Sequence, residues 1–112
     1  MNNITKLCLM SGRQVITVKD LMAETGMSQR VMDTRLAEIR DECKPGGRYA
    51  GKQYVISGGG KFRIINYLIW LDHEFYRVQL AEKNLRKNLP PYNPYRVALE
   101  TGMYQDKEEM ML

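Results

Sequence analysis

The chain has 112 residues and a net charge of +4 at pH 7, with 44% hydrophobic and 27% charged residues. This length holds one domain with a modest core, and the composition excludes a wholly disordered chain. One histidine and two cysteines are too few for a structural zinc site. The sequence has no signal-peptide pattern and no apolar stretch of transmembrane length, so we expect a cytoplasmic protein without membrane contacts. In that reducing compartment Cys8 and Cys43 are expected to be free thiols, with a disulfide between them as the weaker alternative.

The positive charge is concentrated in the middle of the chain. Five basic residues and no acidic one lie between Lys44 and Arg63. The segment after Leu89 is net negative, with four acidic residues against two basic ones. A basic window without acidic residues favours an anionic partner such as nucleic acid.

The first predicted elements are an N-terminal arm and a short helix. Apolar runs on both sides of Ser11-Gly12-Arg13 predict an irregular arm or short strands over residues 1–16. Thr17 is a suitable N-cap for a helix that buries Leu21 and Met22. Gly26 follows as the residue best able to adopt the positive φ at which a helix stops.

A second helix is predicted directly after Gly26, with Ser28 as its N-cap. Its buried side is expected to carry Val31 or Met32, followed by Leu36 and Ile39, at spacings of three to four. The residues left to face solvent are polar or charged: Gln29, Arg30, Asp33, Thr34 and Arg35. Two short helices joined at a glycine, the second with a polar outer face, are typical of a helix-turn-helix DNA reader.

A loop and a β-hairpin are predicted next. The segment Lys44–Gly51 is rich in helix breakers, and two β-prone runs, Gln53–Ile56 and Lys61–Ile65, are separated by Ser57-Gly58-Gly59-Gly60. A hairpin directly after a recognition helix is known as a wing. Lys52, Lys61 and Arg63 would supply it with positive charge for the phosphate backbone.

A long third helix is predicted from an N-cap at Asn66 to about Leu89. Its expected inward stripe is Leu68, Leu71, Phe75, Val78, Leu85 and Leu89. Such a helix would be about 35 Å long, more than this small core can cover. Either a second copy of the chain packs on the distal half, or the chain reverses at Pro90-Pro91 and folds back. Asn93-Pro94 predicts a short helix to about Thr101, ended at Gly102, and the last residues are expected to fray.

No enzymatic or cofactor site emerges from the sequence. Gly58-Gly59-Gly60-Lys61 lacks the Gly-Lys-Ser/Thr ending of a phosphate-binding loop, and no nucleophile has a recognisable base partner. The run Asp72-His73-Glu74 fans around a helix axis, which favours a solvated face over a metal or catalytic site. Tyr67, Trp70 and Tyr76 are expected in the core or at a dimer contact. We therefore expect no enzyme, no cofactor, no metal and no small-molecule ligand.

These elements predict an α+β fold that is mainly helical with a small β-hairpin wing. The domain is a winged helix-turn-helix over residues 17–89, with a C-terminal tail over residues 90–112 for oligomerisation or partner contact. The segments Ile16–Asp20, Gly26–Ser28 and Gly60–Ile64, followed by an apolar helix, resemble the small MerR-like winged helix-turn-helix proteins of phages and mobile elements. The excisionases are the nearest group.

The resemblance covers about residues 16–72 and implies a specific role. Excisionases bend attachment-site DNA beside an integrase and bias recombination toward excision, and relatives repress early phage promoters. By position, Gln29, Arg30, Asp33 and Thr34 would enter the major groove, and Lys61 would meet the minor groove or backbone. The implied partners are double-stranded DNA and an integrase or a second copy of the chain, in the nucleoid of a bacterial host.

The expected function is sequence-specific DNA binding by an excisionase-like factor or transcriptional regulator. Gln29, Arg30 and Thr34 would read bases, with Ser28 and Arg35 beside them, and Lys52, Lys61 and Arg63 would contact phosphates. Asp33 has two open roles: it accepts from a cytosine amino group, or it holds Arg30 by a local hydrogen bond.

Two other classes of function remain open. One is a protein-interaction module, such as an anti-repressor or assembly factor, that uses the stripe from Leu68 to Leu89. The other is a helical subunit that recognises DNA shape without reading sequence.

Overall fold

The computed structural model describes residues 14–100 as a mixed α+β fold, which confirms the coarse fold class. In chain order the elements are β1 (Val15–Thr17), α1 (Val18–Thr25), α2 (Gln29–Glu42), β2 (Val55–Ser57), a 3₁₀ turn (Gly60–Phe62), β3 (Ile64–Asn66), α3 (Tyr67–Ala81), α4 (Lys83–Arg86) and α5 (Pro94–Glu100). The predictions for the arm before residue 14, for Cys8 and for the helix end at Gly102 lie outside the described residues. No helix within residues 14–100 combines the length and the apolar character needed to cross a membrane.

Local capping chemistry sets the boundaries of α1 and α2, as predicted. The Thr17 hydroxyl accepts a hydrogen bond from the amide of Asp20 at 3.1 Å, and the Ser28 hydroxyl accepts from the amide of Val31 at 3.3 Å. Each satisfies a backbone donor that the first helical turn leaves unpaired. Gly26 ends α1 with a φ of 73° and donates its amide to the Met22 carbonyl. A side chain at Gly26 would strain this left-handed conformation.

The main core lies between α1, α2 and the start of α3. Val18 and Leu21 of α1 are fully buried, and Met32 of α2 is buried with them. The sequence left Val31 and Met32 as alternatives; Val31 is 39% exposed, so Met32 is the inward residue. Leu36 and Ile39, on the same side of α2, are buried as predicted. The inward side of α2 therefore follows the 3-4 spacing that begins at Met32.

The sheet is antiparallel, with β3 between β1 and β2. In the first pair, Ile16 lies opposite Ile65, which is buried. In the second, Val55 pairs with Ile65 and Ser57 with Ile64, so β2 carries one extra residue, Ile56. This is a β-bulge, which bends a strand locally and increases its twist. The predicted hairpin therefore forms, with shorter strands than expected.

The predicted long third helix is wrong in length and in its buried face. Helix α3 ends at Ala81, because Glu82 adopts an extended conformation and its carboxylate accepts from the amide of Asn84 to start α4. Leu68 is buried and Leu71 half-buried, whereas the other expected inward residues are half-buried or exposed: Phe75 59%, Val78 74%, Leu85 47%, and Leu89 half-buried. The buried face instead includes Asp72 and His73, which an apolar pattern does not reveal.

The expectation of a solvated Asp72-His73-Glu74 face is also wrong. Asp72 is 1% exposed and receives two hydrogen bonds from Arg48, Nε to Oδ2 at 2.6 Å and Nη2 to Oδ1 at 3.1 Å. The Tyr49 hydroxyl donates to the same carboxylate at 2.5 Å. Burial raises the pKa of Tyr49, and the neighbouring Asp72 charge raises it further, so the phenol keeps its donor proton.

Further ion pairs join the second half of α2 to α3 and α4. Glu38 pairs with Arg77 at 2.7 Å, and Glu42 pairs with Arg86 at 2.6 Å. The hydrogen bond from Arg77 lowers the pKa of Glu38, and that from Arg86 lowers the pKa of Glu42. Because α3 ends at Ala81 and a separate short helix follows, Arg86 lies against the end of α2.

The C-terminal segment folds back after Pro90-Pro91, as one of the two alternatives predicted, but it packs on the first turns of α3 rather than on a distal half. Val97 and Ala98 of α5 are buried against Leu68. The side-chain oxygen of Asn93 accepts from the amides of Tyr95 and Arg96, which confirms the predicted cap.

The inward register of α2 has a direct stability test. Met32→Ala should lower the free energy of unfolding by about 2–5 kcal/mol, because it leaves a cavity in the core. The matched control Val31→Ala, one residue away and exposed, should cost less than about 1 kcal/mol. Urea denaturation of both variants measures the difference, and a larger loss for Val31→Ala would contradict this register.

The Arg48–Asp72 pair should behave as one coupled unit. Arg48→Met or Asp72→Asn alone should each cost about 3–5 kcal/mol, because each leaves a buried charge without its partner. The double variant should cost clearly less than the sum of the two, as a double-mutant cycle in urea would measure. Strict additivity would contradict the coupling.

Candidate nucleic-acid interface

The exposed face of α2 is formed by Arg30, Asp33 and Thr34, with Gln29 half-buried beside them. The Thr34 hydroxyl donates to the Arg30 carbonyl at 3.1 Å, which keeps it close to the helix while its lone pairs can still accept. Ser28 is exposed next to this face, and its hydroxyl is used as the N-cap. The four residues expected in the major groove therefore share one surface of the molecule.

Asp33 links α2 to the hairpin. Its carboxylate accepts a hydrogen bond from the side-chain nitrogen Nε2 of Gln29 at 2.8 Å and lies 3.6 Å from Nη2 of Arg63. The sequence left Arg30 as a local partner, but the partners in the structure are Gln29 and Arg63. The Asp33 side chain is 57% exposed, so solvent screens this ion pair and its contribution to stability is small.

The hairpin tip, Gly58–Arg63, is a turn held in place by hydrogen bonds. Arg63 donates from Nε to the Gly60 carbonyl at 3.1 Å, and its own carbonyl accepts from the amide of Val18 at 2.9 Å. Gly58 has a φ of 79°, and a Cβ there would lie 2.7 Å from the Phe62 carbonyl oxygen. The predicted connection between the strands was Ser57–Gly60, but the connection in the structure extends to Arg63. Lys61 therefore lies in the 3₁₀ turn rather than in a strand.

The tip presents two exposed side chains, Lys61 and Phe62. Phe62 is 70% exposed, and the sequence pattern does not indicate it as a contact residue. Its place in the β-prone run Lys61–Ile65 suggested a residue of the sheet, and only the adjacent glycines signalled that the strand begins later. The 3₁₀ turn is what brings Phe62 to the surface.

Two predicted site residues lie elsewhere. Arg35 is directed at α3, where Nε donates to Glu74 at 3.1 Å and the side chain is 20% exposed. Lys52 precedes β2, at the opposite end of the hairpin from Lys61. Its ammonium lies 5.7 Å from the Tyr92 ring centroid, beside a surface cavity of about 270 Å³. The structure thus joins Arg63 to the α2 face that carries Arg30, with Lys61 two residues before Arg63 in the tip, whereas Arg35 and Lys52 have partners elsewhere.

A hydrogen bond between Tyr67 and Glu24 joins the start of α3 to α1. The Tyr67 hydroxyl donates to the Glu24 carboxylate, and burial followed by this hydrogen bond raises the pKa of Tyr67. The Glu24 carboxylate therefore has a neutral hydrogen-bond donor as its partner. No group of three or more metal-ligating side chains occurs within residues 14–100.

Comparison with protein-family models, with curated proteins and with solved structures found no match to this chain.

Proposed function

We propose that this protein binds double-stranded DNA as a winged helix-turn-helix, with α2 in the major groove and the hairpin tip against the adjacent backbone or minor groove. The observation that carries the proposal is the contact between Arg63 and Asp33, 3.6 Å apart, which joins the tip to the exposed face of α2. A single duplex can then meet both elements at once. The strand order β1-β3-β2, with a hairpin that follows two helices in the chain, supports this proposal.

In this role the interface divides into reading and positioning contacts. Arg30 is exposed on α2 and can donate two parallel hydrogen bonds to a guanine, while Gln29 suits an adenine once Asp33 releases its amide. Lys61 adds affinity for phosphate without choosing a sequence. Asp33 positions Gln29 and Arg63 rather than Arg30 in the free protein.

The resemblance to excisionases supports a role in a phage or mobile element, as a recombination directionality factor or a transcriptional regulator. An integrase or a second copy of the chain is the protein partner that fits such a role. Arg35 and Lys52 have no part in the proposed interface, since their side chains contact α3 and Tyr92.

A second candidate function is a protein-interaction module. Phe75 and Val78 were predicted to lie on the buried face of the third helix, but they are 59% and 74% exposed on α3. Exposed apolar side chains on one helix are typical of partner contacts when they form a patch. In that case changes at Phe75 and Val78 would abolish function, and changes in α2 and the hairpin tip would not.

The proposal predicts different effects for Arg30 and Lys61. Arg30→Ala should weaken binding to a duplex enriched by in vitro selection about 5- to 150-fold, and binding to random duplex much less, because a bidentate base contact is lost. Lys61→Ala should weaken binding to both duplexes equally and reduce the salt dependence, because a phosphate contact is lost. Fluorescence anisotropy over a salt series measures both effects.

Lys83→Ala is the matched control, because it removes the same charge from the exposed surface of α4. It should leave both affinities nearly unchanged. Failure of the native chain to bind any duplex at low salt would eliminate a DNA role. Equal losses on both duplexes for Arg30→Ala would eliminate the base-reading role of that residue.

A further inference from the structure

Phe62 is exposed in an unusual position. Its side chain is 70% exposed, and it lies at the end of a hairpin rather than on a broad packed surface. Exposure of so large an apolar side chain to water is unfavourable, so a partner that buries it would gain binding free energy. Single exposed apolar residues are common, and the argument therefore depends on what surrounds this one.

The backbone that carries Phe62 is held on both sides. Its amide donates to the Gly59 carbonyl at 3.2 Å, and the next amide, of Arg63, donates to Gly60 at 3.3 Å. The Arg63 carbonyl is in turn bonded to the first residue of α1, Val18. A ring presented by a braced turn loses less conformational entropy on binding than one on a free loop.

The charges around Phe62 identify the kind of partner. Lys61 and Arg63 flank it in sequence, and Arg63 lies against the exposed face of α2, which also carries Arg30. An exposed apolar ring next to a lysine, on a tip that Arg63 joins to the face carrying Arg30, matches a duplex, in which phosphates lie beside stacked bases. A purely apolar protein partner would gain nothing from these cations.

We propose that Phe62 is a wedge that inserts between two adjacent base pairs and kinks the DNA bound by α2. The inference rests on the proposed function and deepens it by assigning the opening of a base step to Phe62. Apolar side chains inserted from the minor groove partly unstack a base step and bend the duplex by roughly 20–90°. Lys61 then contacts a phosphate beside the opened step, while Arg63 keeps the tip joined to α2.

The test measures affinity and bending separately on one probe. The probe is a selected duplex of about three helical turns with a donor and an acceptor dye at its ends, and energy transfer reports the bend. Phe62→Ala should bind more weakly, by roughly 5- to 150-fold if ring–base stacking is lost. Saturated with this variant, the probe should stay straight. Phe62→Leu should retain part of the bend, because leucine also serves as a wedge.

Phe75→Ala is the matched control, because Phe75 is 59% exposed on α3 and lies outside the proposed interface. It should bind and bend as the native chain does. Thermal unfolding by circular dichroism should be unchanged for Phe62→Ala, since its ring is not part of the core.

The outcomes separate the two proposals. If the native chain binds the probe but leaves it straight, or if Phe62→Ala bends it fully, the wedge is wrong and DNA binding stands. Weaker binding by Phe62→Ala with an unchanged bend also eliminates the wedge, because the ring then contacts DNA without opening it. If the native chain binds no duplex, the proposed function fails and the wedge fails with it.

Discussion

The buried bidentate pair between Arg48 and Asp72 is the interaction on which the rest of the structure depends. Its side chains are 6% and 0% exposed, so each charge would be costly without the other. Asp72 also accepts from Tyr49, and Arg48 donates Nη1 to the Pro90 carbonyl at 2.7 Å. One guanidinium therefore joins the loop after α2, the middle of α3 and the turn that leads to α5.

The loop that carries Arg48 is also bonded to the end of α2. The amide of Arg48 donates to the Glu42 carboxylate at 2.9 Å, and the amide of Tyr49 donates to the Glu42 carbonyl at 2.8 Å. The Tyr49 side chain is fully buried in the main core. The loop is thus tied to the end of α2 and to α3 before β2 begins. The hairpin that follows is held by the pairing of β3 with β1 and by the bond from the Val18 amide to the Arg63 carbonyl.

Short-range features of the fold could be predicted from the sequence, because their causes lie within a few residues. Thr17, Ser28 and Asn66 cap the helices that follow them, and Gly26 takes the left-handed conformation. Features that depend on distant partners could not be predicted. Asp72 looks like a surface residue until Arg48, 24 residues earlier, is known to lie against it. The buried face of α3 therefore includes Asp72, while Phe75 and Val78 lie on its exposed side.

The same division applies to the candidate site. The polar face of α2 follows from helical periodicity, so Arg30, Asp33 and Thr34 could be selected from sequence. Arg35 could not be excluded, because its partner Glu74 lies 39 residues away. Phe62 was missed because a bulge at Ile56 and a 3₁₀ turn shift the strand, and neither has a strong local signal.

The most direct test of the account is chemical-shift mapping of the ¹⁵N-labelled chain titrated with a selected duplex. The account predicts that the largest changes fall on the first half of α2 and on the hairpin tip, with the amides around Phe75 and Val78 unaffected. Changes concentrated on α3 and α5, with α2 and the tip unchanged, would contradict it.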